Sequence, residues 1–436
     1  MTSNAEGKPL DVVSSRRQFG RLWSASAISN LGNGMTVTAA PLLAASLSHD
    51  PRLVAGLSGA TMLPWLVCGL AGGAVADRLD RKWLMTVVDG VRAVLLLAVA
   101  LLVSSGSASL PLLYALFFLA GAGATLFDPA SEAVVPAVVP EPGLTKANGR
   151  LQSAEAIGMD FVGPALGGLL FAVAAGAPFL VDAVSFGLSA LLVAGLPGRF
   201  RAPPESVEPA GQRSSIRADI AGGLRAIAER PRLRAMMAMA VLGNVATFAT
   251  LGVVVLFAQR NLGVTPSTFG LLMMGAGVGG LAGGLGAARL ERAVGARGIG
   301  VGCGLGSAAA FAALATTSSP VVFTLAIAAI AGVTAAWCVE AVTIRQRIVP
   351  DELRGRVGAT YRAVAWAGMP LGTLAGGFLA SGFGLRGVFW LSAALSLGIC
   401  AVALSRSFGI EPSYAGSDAK RTVGAGVVVL PAATAG

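Results

Sequence analysis

The chain has 436 residues, 55% of them apolar and only 12% charged, with 59 glycines. Soluble enzymes carry about a quarter charged residues and disordered chains far fewer apolar ones, so both classes are excluded. A net charge of +10 would suit nucleic acid, but the basic residues gather in every second gap between apolar stretches, a distribution that excludes that partner and points to a lipid bilayer.

A polar leader, residues 1–20, runs into apolar stretches at 21–47, 53–76, 83–103, 110–134, 151–175 and 178–196. A helix of roughly 20 apolar residues crosses the ~30 Å hydrocarbon core, because only a helix satisfies its own backbone hydrogen bonds where there is no water. The first stretch is too long for the apolar region of a cleavable signal, so it is expected to act as its own targeting signal. Pro203, Pro204 and Pro209 then open a charged linker, 198–231. Within it Ile216, Ile220, Leu224 and Ile227 recur at helical spacing opposite Arg213, Arg217, Asp219 and Glu229, predicting an amphipathic helix on the membrane surface. Six further stretches follow at 233–257, 267–290, 298–317, 321–344, 357–382 and 385–404, before a small polar tail, 407–436. The expected fold is therefore an all-α integral membrane protein of twelve transmembrane helices, with one six-helix bundle at 21–197 and another at 232–406. Lysine and arginine fill the N-terminus, the even-numbered loops and the C-terminus, and the opposite loops carry Arg52, Arg260 and Arg386. Both termini are accordingly expected in the cytoplasm. Cys68, Cys303, Cys338 and Cys400 all fall inside spans, which fits neither a disulfide framework nor a zinc site.

The halves repeat each other. Gly72-Gly73-Ala74-Val75-Ala76-Asp77-Arg78-Leu79-Asp80-Arg81 returns as Gly283-Gly284-Leu285-Gly286-Ala287-Ala288-Arg289-Leu290-Glu291-Arg292, and Val138-Val139-Pro140-Glu141 as Ile348-Val349-Pro350-Asp351. Each of the latter precedes a span with a proline and a glycine pair, Pro164 with Gly167 and Gly168, then Pro370 with Gly376 and Gly377. Two parallel repeats facing each other predict a central cavity near the midplane, exposed to one side at a time as the halves rock.

Gly73-x-x-x-Asp77-x-x-Asp80-Arg81-Lys82 resembles the loop motif of the major facilitator superfamily, and Gly163-Pro164-x-x-Gly167-Gly168 the fifth-helix motif of its antiporter branch. Together with Asp89-x-x-Arg92-Ala93, Phe127-Asp128-Pro129-Ala130, Asn148-Gly149, Asp182-Ala183-Val184-Ser185-Phe186 and Glu352-Leu353-Arg354-Gly355-Arg356-Val357, the sequence is similar to the macrolide-efflux and enterobactin-exporter group. The resemblance implies export of bulky small molecules driven by the proton gradient. It also implies a cytoplasmic gate: Asp77 against the start of the eleventh helix near Arg356, and Arg81 paired with Asp128 or Glu132 on the fourth. The drug-antiporter branch usually places an arginine within its fourth helix, and 114–127 has none.

A charge at mid-bilayer costs roughly 2.5 to 3.5 kcal/mol on insertion scales, so buried ionisable groups mark coupling sites. Asp160, one turn before Pro164, is the deepest and suits a proton or a cationic substrate; the competing reading is an ion pair with Arg362. Asp89 and Arg92, three apart, are expected to neutralise each other, and Glu155 and Asp182 to lie near span ends, within reach of interfacial water. Glu340 either faces Asp128 across the cavity mouth or pairs with Arg345 or Arg347. Asn30 and Asn33, on a polar stripe with Ser26, are substrate-contact candidates, the alternative being interhelical hydrogen bonding. Trp65, Phe117, Phe118, Trp337 and Trp366 offer an apolar wall. Gly275-x-Gly277-x-x-Gly280 lies inside a span with no strand before it, which argues against a nucleotide site. His49 falls in an outward loop, and no ATP-hydrolysing loop motif occurs.

The sequence thus points to a proton-coupled exporter of small amphipathic compounds such as antibiotics, secondary metabolites or siderophores. A facilitator or uptake carrier is the nearest alternative, and a polytopic receptor or enzyme a more distant one. No enzymatic activity and no cofactor is expected; the partners are a small-molecule substrate and the bilayer, the oligomeric state monomeric. Arginine far outnumbers lysine, which suits a GC-rich genome and a bacterial cytoplasmic membrane.

Overall fold

The structure, a computed structural model, describes residues 12–76, 79–140, 143–198, 200, 216–349 and 351–409. Nearly all of them are helical. The first half of the chain forms α1 (Val12–Leu47), α2 (Pro51–Ala76), α3 (Arg81–Ser104), α4 (Leu110–Val138), α5 (Leu144–Glu155), a π-helical turn (Ala156–Val162), α6 (Gly163–Val173) and α7 (Ala177–Ala194). After α8 (Ile216–Glu229) come α9 (Pro231–Asn261), α10 (Pro266–Thr316), α11 (Pro320–Ile348), α12 (Asp351–Leu404) and the short α13 (Arg406–Gly409).

Among the described residues, 8 helical stretches are long and apolar enough to cross a membrane. The fifth is continuous from α5 through the π turn into α6, Leu144–Val173. Helices α1 and α2 are not among the eight, although their 36 and 26 residues have the length; α1 carries a polar stripe of Ser26, Ser29, Asn30, Asn33 and Thr36, of which Asn33 and Thr36 bond to α3 and α7. Two of the eight, with α10 at 51 and α12 at 54 residues, are far longer than one ~30 Å crossing needs. Each is broken once by a glycine in the left-handed region, Gly295 at φ 68° and Gly384 at φ 75°, where a side chain would clash with the backbone. The breaks fall between the spans expected at 267–290 and 298–317, and at 357–382 and 385–404.

The buried core forks. At the end of the molecule away from the chain termini, one cluster joins both halves: Leu42, Leu57, Phe117, Phe179 and Phe186 with Val253, Phe257, Phe269, Phe311, Phe323 and Phe389. At the terminus-bearing end the core is in two parts. Leu22, Leu84, Met85, Val134, Val138 and Leu196 belong to the first half; Met236, Ile299, Trp337, Ile344, Tyr361 and Phe408 to the second. Helix α8, the expected amphipathic linker helix, joins the latter cluster through Ala226 and Ile227 and leaves Leu224 exposed.

The two kinds of glycine should respond oppositely to one methyl group. Gly384→Ala forces alanine into a positive-φ extended conformation, φ 75° and ψ 167°, that is essentially reserved for glycine, at about 1–3 kcal/mol, and should lower the thermal unfolding temperature in detergent. Gly286→Ala, in open helical space, should raise it by adding about 0.5–1 kcal/mol of helix preference.

Candidate functional site

Three seams hold the halves together, all toward the end away from the termini. In the first, Gly168 on α6 meets α10 backbone to backbone: a Cβ at Gly168 would lie 2.6 Å from the Pro266 carbonyl oxygen and 2.8 Å from Gly270 Cα. One at Gly270 would lie 2.5 Å from the Pro164 oxygen. In the second, a Cβ at Gly377 on α12 would meet Pro51 O at 2.9 Å and Arg52 Cα at 3.1 Å on α2. Arg52 Nε closes this seam by donating to Ser381 Oγ at 2.9 Å. In the third, Arg260 on α9 donates to the His49 carbonyl at 2.5 Å, so the lone histidine's loop belongs to the closed end. Neighbouring glycines serve their own half: Gly163 and Gly167 seat on Gly34 and Met35 of α1, and Gly376 on Ala249 of α9. The glycine pairs repeated in sequence therefore repeat in role, one member packing within its half and the other across the gap.

The fifth-helix motif begins where the helix changes pitch. Gly163 N–H donates to the Gly158 carbonyl, five residues back, closing the π turn. Pro164 has no N–H to continue the ladder, and widened turns of this kind mark positions where a helix bends or binds. Asp160 sits in this turn with its side chain exposed, its own carbonyl packed on Gly277 of α10. Gly277, drawn from the apparent nucleotide motif, is thus a helix-contact glycine. Asp160, Glu155, Glu132 and Asp128 are all exposed in the structure. They lie in a linked electrostatic series on α4 and the fifth span, Asp160 beside Glu155 and Glu155 beside Glu132 and Asp128. Arg362 is exposed and pairs with none of them among the described residues, so the alternative ion pair with Asp160 is not formed.

Behind this wall lies a buried polar knot. Arg92 on α3 lays its stem against Gly123 of α4, donates through Nη2 to Asn33 Oδ1 on α1 at 3.0 Å, and stacks over the Phe186 ring of α7 at 3.9 Å. Asp89 is fully buried and accepts from Ser189 Oγ of α7 at 2.6 Å. Asp182 accepts from Thr36 Oγ1 at 2.6 Å and Ser185 Oγ at 3.0 Å. Two expectations are corrected here. Asp89 and Arg92 do not form a direct ion pair; each bonds a different helix. Asp182 does not reach interfacial water, being 0% exposed between α1 and α3. Thr36 and Ser189 were not singled out from sequence, although Ser189 falls on one helical face with Asp182 and Ser185 of the quoted motif.

The remaining candidates divide. Trp65 on α2 and Trp366 on α12 meet edge to face at 4.9 Å, bridging the halves, and Phe118 is half-buried on α4. Trp337, expected in a cavity wall, is instead in the second half's core, packed on Phe408 at 6.0 Å. Asn30 bonds Ser26 Oγ of its own helix at 3.2 Å, whereas Asn33 makes the interhelical bond to Arg92. Glu340 is buried with Oε1 unbonded, its electrostatic neighbours being Glu291, Arg347 and Arg232 of its own half. Of the two expected local partners, Arg347 lies in the field of Glu340 but makes its ion pair with Glu291 at 3.3 Å, and Arg345 lies over the Tyr361 ring at 4.0 Å. Arg81 reaches α4 at the Ala133 carbonyl, 3.4 Å away and next to Glu132. Asp77 and the Arg356 side chain lie outside the described residues.

Eight apolar helical stretches of membrane-spanning length, packed through glycine contacts between the first and second halves of the chain, define a multi-pass membrane protein. The chain belongs to the family described as transmembrane secretion effector, a drug-efflux branch of the major facilitator superfamily, whose profile matches residues 13–419. It is similar to the multidrug efflux pump Tap of Mycolicibacterium fortuitum, 30% identical over 400 residues covering 88% of this chain and 94% of Tap. It is also similar to macrolide efflux protein A of Streptococcus pyogenes, 28% identical over 156 residues, 36% of this chain and 38% of that protein. Among solved structures it shares the fold of a bacterial homologue of the iron transporter ferroportin in its inward-facing state. The TM-score is 0.71 at 18% identity, over 91% of this chain and 100% of the other.

Adding bulk at a seam should cost about 1–3 kcal/mol by overpacking, enough to move a conformational balance by about 5- to 150-fold. Gly168→Val and Gly377→Val should therefore raise thiol labelling of cysteines introduced at the closed end and slow transport. Gly280→Val, which has open space around it, should do neither.

Proposed function

We propose that this chain exports small amphipathic drugs from the cytoplasm in exchange for protons. In this reading its twelve helices form two six-helix bundles, 21–197 and 232–406, linked by 198–231 and followed by a tail at 407–436. It works by alternating access as a monomer in the bacterial cytoplasmic membrane, with both termini inside and the proton gradient in place of any cofactor. The observation that carries the reading is the forked core: one cluster across both halves at one end, two separate clusters at the other. Arginines concentrated at the parted end support placing that end in the cytoplasm, so the conformation is the one that loads cytoplasmic substrate. The names of Tap and macrolide efflux protein A support drugs as the cargo.

The exposed acids Asp128, Glu132, Glu155 and Asp160 favour a substrate bearing positive charge, and Trp65 with Trp366 favours one with an apolar body. Asp160, on the π turn, would exchange a proton with the gap as the fifth helix bends. Asp77 and Arg81, with Arg356 and Glu132, would latch the parted end when it closes, the carboxylate lying against a helix N-terminus.

Expressed in a host stripped of its own pumps, the protein should lower the accumulation of ethidium or erythromycin. In inverted vesicles an imposed pH gradient should drive uptake that a protonophore abolishes. Asp160→Asn should eliminate gradient-driven uptake with membrane insertion intact; unchanged uptake would take Asp160 out of the proton path. Uptake indifferent to the gradient would refute antiport.

A further inference from the structure

We propose that the knot around Arg92 is where this carrier stores its coupling proton, on the Asp89 carboxylate, while the halves change places; the inference rests on the antiport reading above. A buried ionised carboxylate needs its lone pairs satisfied by donors or its charge matched by a partner. Asp89 has neither in full. It is 0% exposed, one oxygen takes the Ser189 hydroxyl at 2.6 Å, and the other has no hydrogen bond. The one cation in its field, Arg92, spends its guanidinium on Asn33 and the Phe186 face and keeps Nε unbonded.

Charge counting singles out Asp89. Arg92 lies in the field of three acids, Asp89 on its own helix, Asp182 on α7 and Asp128 on α4. Asp182 has both oxygens bonded, by Thr36 of α1 and by Ser185, so it can hold its charge against Arg92. Asp128 is exposed, the one member of the three open to a partner from outside the knot. Asp89 is left with one donor and a share of a cation already claimed, which makes it the member that takes the proton. The groups facing it are Arg92 of α3, Asp182 and Ser189 of α7, and Asp128 of α4, with Asn33 of α1 fixing the guanidinium.

The same geometry links proton to substrate. When a cationic substrate seats against Asp128, that charge no longer draws on Arg92, and the guanidinium is free to balance Asp89. The Asp89 O–H bond then breaks, the electron pair stays on the carboxylate, and the proton leaves to water on the open side. When Asp89 is protonated again, the Arg92 charge is left to Asp182 and Asp128, so the hold of Asp128 on the bound cation weakens and the cation is displaced. One guanidinium shared among three carboxylates thus makes occupancy by proton and by cation mutually exclusive, which is what antiport requires.

The test is infrared difference spectroscopy of the protein in lipid nanodiscs, between acidic and alkaline buffer without substrate, alongside vesicle transport. The wild type should show the carbonyl stretch of a protonated, buried carboxylic acid that titrates away. That band should vanish in Asp89→Asn, change frequency in Ser189→Ala through loss of the one donor to Asp89, and survive in Asp160→Asn. In vesicles, Asp89→Asn should lose proton-driven ethidium uptake, and its gradient-free ethidium exchange should lose its dependence on pH. A band unchanged in both Asp89→Asn and Ser189→Ala overturns the site whatever the transport result; if Asp89→Asn does not fold, an unchanged band in Ser189→Ala is sufficient to overturn it. An Asp89-dependent band in a wild type whose transport ignores the proton gradient overturns the antiport reading, and the coupling role of the knot with it.

Discussion

Backbone contact between helices, where glycine removes the side chain, is the interaction on which this architecture turns. Within a bilayer apolar side chains gain little by leaving lipid for protein, so association rests on close packing and polar contacts. Gly168 against Pro266 and Gly270, and Gly377 against Pro51 and Arg52, bring main chains together across the two halves with no room for a Cβ. These seams lie at one end, and in the alternating-access reading they are the contacts about which the two halves would part at the other. The buried core forks in the same sense: the residues around Phe257 and Phe389 share a cluster with those around Phe117 and Phe179, while Tyr361 and Val134 belong to separate ones.

The polar groups obey the complementary rule. What lipid cannot hydrate must be satisfied by protein or face the water between the halves. Four carboxylates, Asp128, Glu132, Glu155 and Asp160, are exposed along α4 and the fifth span, and in the exporter reading they take the second course and face that water. Asp89, Arg92 and Asp182 take the first, and draw α1, α3, α4 and α7 together through Asn33, Thr36, Gly123 and Ser189. The knot therefore adjoins the acidic wall through Arg92 and Asp128, so a change of charge on the wall is felt inside the half that carries it.

Much of the fold was legible before any coordinates, because span length and the two glycine-proline repeats are one-dimensional signals. The breaks at Gly295 and Gly384 fall in the gaps that the apolar pattern left. The division of labour within each glycine pair was not legible, since a pair on one helix does not say which neighbour each member meets. The knot was missed for a related reason. Counting from the span end puts Asp182 near interfacial water, but burial there is decided by α1 and α3 flanking α7, a tertiary fact. Proximity in sequence placed Arg347 in the field of Glu340 but not its ion pair, which reaches to Glu291 on α10, and Arg345 lies on Tyr361 instead. The π turn at Ala156–Val162 left no mark in the apolar pattern, because it keeps the helix continuous and changes only its pitch.

The central claim is that the forked core is one of two reciprocal states, and pulsed electron-spin distance measurement tests it most directly. One spin-label pair at Asn148 and Ala293 would report on the terminus-bearing end, and a second at Ser107 and Ser318 on the opposite end; all four positions are exposed. As pH or an exported drug is varied, the first distance should shorten in the same fraction of molecules in which the second lengthens. Distances that stay fixed, or that change at both ends in the same direction, would contradict alternating access in this protein.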